Sequence, residues 1–308
     1  MTTSNTPDLS ISAVERETGL SKDVLRKWES RYGFPLPLRD NLGERIYPAH
    51  QVMRLRLIKR LMDSGLRPSR LVGLTEAELQ ALAPASIRPA NEPQSPNKVS
   101  LDLVRQDNAE GLRRALTRDM LQQGLARFVL DTLAPLNEAV GEAWARGELN
   151  VHQEHVYSES VQWLLRNSIA QLTEPAARPR VLLTTLPEEQ HGLGILMAAA
   201  LFTLEGAHCI SLGTQTPVQF IDEAARAHAV DVVALSFSVA YPSRKIAPAL
   251  EELRLRLPPS VDLWAGGAGI ERQRTVNAKV LLHRSLDDAL AAIRNWQKSS
   301  ATLSSSSQ

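Results

Sequence analysis

The stretch LPEEQHGLG, Leu186 to Gly194, sets a single histidine behind an apolar run and just ahead of two glycines. Histidine is a common metal ligand, and a carboxylate on its second ring nitrogen fixes the tautomer and raises the basicity of the first. Glu189 stands two residues before His191, close enough for that relay directly or through a neighbour. Gly192 and Gly194 carry no side chains, so a bulky ligand can come up to the backbone there. The same residues suit a helix-capping or core histidine, and spacing alone leaves both readings open. A second cluster, WARGELNVHQEH, places Trp144 nine intervening residues before the pair Glu154 and His155. Taken alone, it also reads as the packed core of a helical bundle followed by a polar pair at a helix N-terminus. A third cluster is basic: between residues 10 and 75, thirteen lysines and arginines face seven acids, although the whole chain of 308 residues carries a net charge of only +1. A basic module on a nearly neutral protein points to a polyanionic partner for that module alone.

The elements that must position these residues follow from periodicity and punctuation. The length allows two or three domains, and 43% hydrophobic with 22% charged residues allows ordinary globular cores. The lone Cys209 excludes an intrachain disulfide and disfavours a thiolate metal site. The opening MTTSNTPDLS has neither the basic start nor the apolar stretch of a signal peptide. The longest apolar run, Leu193 to Leu204, falls well short of the roughly 20 residues that a membrane helix needs. A cytoplasmic protein is expected.

In the basic module, Gly19 stops a first short helix. Ser21 is placed to cap a second, KDVLRKWESRY, which Gly33 ends. A hairpin over PLPLRDNLGERIYP and a helix over AHQVMRLRLIKRLMDSG follow. A helix–turn–helix with a basic hairpin suits duplex DNA: the second helix enters the major groove and the hairpin reaches a neighbouring groove or backbone. The DNA-contacting candidates are Lys22, Arg26, Lys27, Trp28 and Arg31 on the second helix, with Arg39, Arg45 and Tyr47 on the hairpin. A helical domain with a solvated basic face is the plainer alternative. Residues 84–100, with four prolines, read as an extended tether, and the serine-rich end as disordered. Residues 101–172 carry helical patterns enough for a four-helix bundle. From residue 180, five fully apolar strand-like runs (VLLTT, HCISLG, VVALSFS, VDLWAGG, KVLLH) alternate with helices over 191–205, 217–228, 244–256, 270–277 and 286–296. That is the pattern of a parallel, doubly wound sheet, whose ligands bind beyond the carboxyl ends of the strands. The loops PEEQHGLG and AGGAG (residues 265–269) both fall there and could face one ligand.

Three resemblances join these parts. The segment ISAVERETGLSKDVLRKWESRYGFPLPLRDNLGERIYP, with TGLS, LRKWESRYG and GERIY as its carrying features, resembles the DNA-binding domain of MerR-type regulators. The resemblance implies that Arg26 and Trp28 lie against the major groove and that Arg45 on the wing probes the minor groove. The motif EQHGLG is similar to the E/D-x-H-x-x-G motif of cobalamin-binding domains. That likeness implies that His191 is the lower cobalt ligand and that Gly194, Ser236, Ser238, Gly266 and Gly267 line the slot for the displaced base. The W-x9-E-H spacing resembles light-sensing, cobalamin-dependent MerR regulators of the CarH and LitR type. There Trp144, Glu154 and His155 would face the adenosyl group of adenosylcobalamin.

The implied protein is a transcriptional regulator, expected to repress. It has a winged helix–turn–helix domain over 1–78, a linker over 79–99, a four-helix cap over 100–174, a Rossmann-like domain over 175–298 and a disordered tail over 299–308. Its partners would be double-stranded promoter DNA and further copies of itself, as a dimer or tetramer formed through the C-terminal domains, and it would have no enzyme activity. Two rivals stand beside it: the same regulator working without cobalamin, and a corrinoid-carrier subunit of an enzyme. Ala145 stands where light-sensing relatives carry a second histidine, and Glu44 where related wings carry a basic or polar residue. The first difference implies that no locked bis-histidine adduct forms at that position after illumination.

Overall fold

The computed structural model describes residues 8–305 apart from 42, 64–65, 83–95, 173–176, 272 and 274–278. The chain forms two compact units that interleave in sequence. The first comprises Met1–Leu101 with Glu138–Glu154, and the second Asp102–Asn137 with His155–Gln308.

The first unit opens with β1 (Leu9–Ser10), α1 (Ile11–Thr18) and α2 (Lys22–Tyr32), followed by β2 (Leu38–Arg39), β3 (Arg45–Tyr47), α3 (Ala49–Asp63), α4 (Pro68–Leu71) and α5 (Glu76–Leu82). The caps fall where the sequence sets them. Ser10 and Ser21 accept hydrogen bonds from the backbone N–H groups of Ala13 and Val24, and Gly19 and Gly33 close α1 and α2 in the left-handed conformation. The wing is a three-stranded antiparallel sheet in the order β1-β3-β2, with Leu9 opposite Tyr47 and Leu38 opposite Ile46. Its core gathers Leu25, Trp28, Tyr47, Leu55, Ile58 and Leu61, all buried.

The expected tether over 79–99 is helical at both ends, where α5 continues to Leu82 and α6 (Pro96–Arg105) begins. Its middle, 83–95, lies outside the described residues. The helical middle region continues with α7 (Ala109–Gln123), α8 (Leu125–Arg127), a π-helical turn (Phe128–Leu133), α9 (Ala134–Ala145) and α10 (Val151–Leu172).

The second unit is dominated by five parallel strands: β4 (Arg180–Thr184), β5 (His208–Gly213), β6 (Val232–Ser236), β7 (Asp262–Gly266) and β8 (Val280–His283). They alternate with α11 (Leu193–Leu204), α12 (Val218–Ala227), α13 (Ser243–Arg256) and α14 (Leu286–Ser305). All five strands match the apolar runs expected. The helix expected over 270–277 is represented by a 3-10 turn at Ala268–Ile270, and most of the rest lies outside the described residues. The strand order β5-β4-β6-β7-β8 makes a doubly wound Rossmann-like sheet. Two cores flank it: one holds Leu182, Val233, Leu235, Leu263 and the inner faces of α12 and α13, and the other Val181, Leu183, Val232, Trp264, Phe202 and Ile293. α14 runs on to Ser305, past the point at which disorder was expected. Extending a helix already formed costs little per residue, which lets the Ser-Ala-Thr-Leu sequence continue the coil. Residues 306–308 lie outside the described residues.

α11 explains the apolar run that was too short for a membrane. It packs against the sheet, against α14 beside it, and against α8 and the π-helical turn, so it is hydrophobic around its whole circumference. None of the described helices is long and apolar enough to cross a membrane.

Two glycines permit the close approaches that shape the carboxyl edge of the sheet. A Cβ at Gly194 would lie 2.7 Å from Ser236 Oγ, so glycine lets the start of α11 press on β6 with the serine hydroxyl in its present position. Gly267, at φ +93°, lies directly under Phe237: a Cβ there would collide with the Phe237 carbonyl oxygen and reach 3.1 Å from its nitrogen. Gly267→Ala is expected to destabilise the fold by about 2–4 kcal/mol, from the positive φ and the backbone collision together, as read from urea unfolding monitored by circular dichroism.

His283, at the end of β8, is buried edge-on against Trp264, with ring centroids 4.9 Å apart. Burial lowers its pKa below 6.5, and the nearby Asp288 carboxylate counters this only in part. The unfolded chain therefore takes up a proton before the folded one does. The stability that neutral His283 confers is fully present above pH 6.5 and falls as pH drops through that value towards the folded-state pKa. Urea midpoints measured between pH 7.5 and 5 are expected to fall more steeply for the parent than for His283→Phe.

Candidate functional site

The order of the sheet reverses at β4, whose neighbours are β5 on one side and β6 on the other. At such a switch point the loops leaving the two adjacent strands diverge and open a crevice beyond their carboxyl ends. The loop after β4 carries Glu189 and His191, and the turn after β6 carries Ser238, so the fold delivers these three side chains to one place.

Glu189 is 1% exposed, and its carboxylate is the hub. Oε1 accepts from the His191 backbone N–H at 3.0 Å and lies 2.7 Å from His191 Nδ1. Oε2 accepts from the Ser238 backbone N–H at 2.7 Å and from its hydroxyl at 2.8 Å. Ser238 Oγ also lies 3.1 Å from His191 Nδ1. Burial pushes the Glu189 carboxyl up, but the bonds from the His191 ring and from the His191 and Ser238 backbone outweigh it and hold the pKa below the ordinary carboxylate value. An ionised carboxylate accepts only, so the network assigns a proton to Nδ1, and in the neutral ring Nε2 then carries the lone pair. The ring itself is well exposed, with 62% of the side chain accessible.

Neighbours fix the two loops that hold this group. Thr185 Oγ1 donates to the Glu189 carbonyl at 2.7 Å and accepts from the Gln215 backbone N–H at 2.8 Å. Lys245 Nζ lies 2.7 Å from both carboxylate oxygens of Glu188. Gly266 O accepts from the Phe237 N–H, and Gly269 N donates to the Phe237 carbonyl, each at 2.9 Å. The turn bearing Ser238 is thus clamped from below by the Gly266–Gly269 loop. Sequence reading identified Glu189, His191, Ser238 and the glycines. It missed Thr185 and Lys245, and gave no hint that Gly267 acts on the backbone of Phe237. A buried hydroxyl at the end of an apolar strand was the available signal for Thr185.

The remaining candidates lie elsewhere. Trp144 and Glu154 belong to the first unit, and His155, on the exposed side of α10, to the second. On α2, Arg26, Lys27 and Arg31 are exposed and Lys22 is half-buried. Arg39 is exposed on β2 and donates to the Gly43 carbonyl at 2.6 Å. Two expectations need correction. Trp28 and Tyr47 do not face outward: Trp28 is 7% exposed and Tyr47 0%, because each occupies an apolar position where α2 and β3 meet the core of the module. Their role is to support the DNA-reading elements from behind. Arg45 is half-buried and tied to Glu29 of α2 at 3.0 Å, which raises its pKa further and fixes the wing against the second helix.

A metal held by His191 receives one protein ligand and must bring the others with it. Among the described residues, no three His, Cys, Asp or Glu side chains gather into a metal-holding cluster. A metal already ringed by a macrocycle meets that condition. The residues present fit such a group: an exposed imidazole held by a buried carboxylate, at the start of a helix that Gly194 lets pack close against Ser236.

Comparison with known proteins agrees with both halves of this picture. The model of the MerR HTH family regulatory proteins matches residues 9–78, and that of the B12 binding domain matches residues 102–166. The monomethylamine corrinoid protein of Methanosarcina barkeri shares the fold over 63% of this chain and 94% of its own, with a TM-score of 0.50 and 16% identity. The HTH-type transcriptional repressor CarH of Myxococcus xanthus is 29% identical over 272 residues, 86% of this chain and 90% of CarH. The HTH-type transcriptional repressor CarA of the same organism is 30% identical over 278 residues, 85% of this chain and 87% of CarA. With that identity sustained from the DNA-reading helices to the Rossmann-like sheet, the chain belongs to the family of HTH-type transcriptional repressors that includes CarA and CarH.

Proposed function

We propose that this chain is a cytoplasmic repressor that binds double-stranded promoter DNA and responds to adenosylcobalamin and light. The observation that carries the cobalamin reading is the Glu189–His191–Ser238 arrangement at the switch point of the sheet. His191 Nε2 would hold the cobalt, with Glu189 keeping the proton on Nδ1. Gly194, Ser236, Gly266 and Gly267 shape the ground in which the displaced base lodges, and Trp144, Glu154 and His155 recognise the adenosyl group. When bound, adenosylcobalamin supplies a cobalt–carbon bond that light breaks. The protein's part is to assemble through its C-terminal domains, as a dimer or tetramer, only while its residues have an adenosyl group to hold. A ligand shifts an assembly only by its differential affinity for the two states, so losing those contacts loosens the assembly and its grip on DNA. Against an enzyme subunit stand the relatives similar over 85–86% of the chain, both of them transcriptional repressors.

The deciding experiment is adenosylcobalamin added in the dark, with absorption spectrum and mass by light scattering recorded before and after green light. A bound spectrum and a larger mass in the dark, falling after illumination, are expected. A chain that takes up no cobalamin would defeat the reading and favour the cobalamin-independent regulator.

Two further outcomes are expected. Glu189→Gln keeps the shape of the hub but loses its charge, and should weaken cobalamin affinity about 10- to 100-fold, the usual cost of losing a partner behind a metal-binding histidine. His191→Ala should leave the cofactor with its own base on cobalt or unbound, as absorption titration will show. On the DNA side, exposed Arg26 is placed to meet base edges. Arg26→Ala should weaken operator binding by about 1–3 kcal/mol in gel-shift titrations at fixed salt. Unchanged affinity would remove α2 from the groove.

A further inference from the structure

Arg56 lies on α3 of the DNA-reading module, yet it turns away from solvent and is 8% exposed. Its Nη2 is hydrogen-bonded to Glu17 Oε2 on α1, and both side chains are largely buried. Its guanidinium carbon lies 4.9 Å from the centre of the Trp144 ring. One turn earlier on α3, Met53 fills the space beside Gly147, where a Cβ would meet Met53 Sδ at 2.5 Å and Cγ at 2.9 Å. Ala145 and Leu149, on either side, are buried. The segment from Glu138 to Glu154 is accordingly part of the same compact unit as the helix–turn–helix.

Reading DNA does not call for this arrangement, because the exposed cations of α2 and the wing serve that purpose. A guanidinium taken out of water needs compensation, and here it has one carboxylate and the face of one indole. The Nε of Arg56 is buried without a hydrogen-bond partner, so Glu17 and Trp144 carry the compensation between them.

We propose that Arg56 and Glu17 form a latch that holds Trp144 on the DNA-reading module while the chain is free of ligand. This rests on the proposed role of Trp144 in recognising the adenosyl group. The indole face covered by the guanidinium is closed to any other flat group. Recruitment of Trp144 by the cofactor through that face therefore breaks the stack and frees α3 from the segment that Trp144 belongs to. Coupling between two sites is reciprocal, so the latch makes adenosylcobalamin binding and release of the DNA-reading module one event. Lysine in place of arginine keeps the charge beside Glu17 but has no planar fork to lie on the indole.

The test uses the full chain in the dark, titrated with adenosylcobalamin and followed by absorption, with hydrogen exchange on the free and bound protein. Arg56→Lys should bind adenosylcobalamin about twofold to fivefold more tightly than the parent, the range expected when a stacked guanidinium gives way to an ammonium that holds the indole face less well. Glu17→Gln keeps an acceptor for Arg56 and should change affinity in the same direction by a smaller factor. In the parent, added ligand should speed exchange around residues 53–57. Arg56→Lys should show that faster exchange without ligand. Unchanged or weaker affinity in both variants would overturn the latch while leaving the cobalamin reading intact. A parent chain that binds no adenosylcobalamin would overturn both. Should Arg56→Lys fail to fold by circular dichroism, Glu17→Gln decides alone.

Discussion

A carboxylate that is 1% exposed cannot stay charged without partners, and the region around Glu189 is organised by that requirement. Four hydrogen bonds meet on its two oxygens, two from His191 and two from Ser238. Each partner must arrive from a different strand end. That dictates the reach of the loop after β4, the tight turn after β6 and the glycine loop that braces the turn from below. Remove the charge and the imidazole has no fixed tautomer. Remove the glycines and the turn cannot present Ser238. The switch point of the sheet matters because it is where two neighbouring loops can converge on one buried group.

Much of this was legible in the chain. Most of the five strands are apolar on both faces, so their runs stood out, and the strand–helix alternation pointed to a parallel, doubly wound sheet without giving its strand order. Glu189 and His191 lie two residues apart in a loop, where local spacing carries the geometry. Ser238, 47 residues from His191, was picked out as a slot-lining residue and turned out to complete the hydrogen-bonded group. What the chain hid was exposure and long-range contact. Trp28 and Tyr47 sit among arginines in sequence, yet packing draws their rings inward, because an aromatic at the meeting of helix and wing stabilises the module more than it could at a solvated face. The stack of Arg56 on Trp144 joins residues 88 positions apart, and no periodicity in either segment announces it.

The DNA-reading half follows a similar economy of charge. Arg26, Lys27, Arg31 and Arg39 are exposed and can turn to phosphates or bases, with only local contacts such as that of Arg26 to Asp23 to give up. Others are committed inside the protein: Arg45 to Glu29, Arg54 to the carbonyls of Val72 and Leu74, and Arg56 to Glu17. A raw count of basic residues overstates the charge available to DNA, and the committed arginines instead fix the wing and the third helix to their neighbours.

The burial of α11 on both flanks has a consequence for how such a chain can change over evolutionary time. A Rossmann-like domain whose first helix presents polar residues outward can be cut out, duplicated or grafted beside unrelated partners. Here that helix has no polar side to show, because α14, α8 and the π-helical turn cover what the sheet does not. Cutting the sheet away from that helical segment would bare an apolar helix face that invites association, so the two tolerate separation poorly.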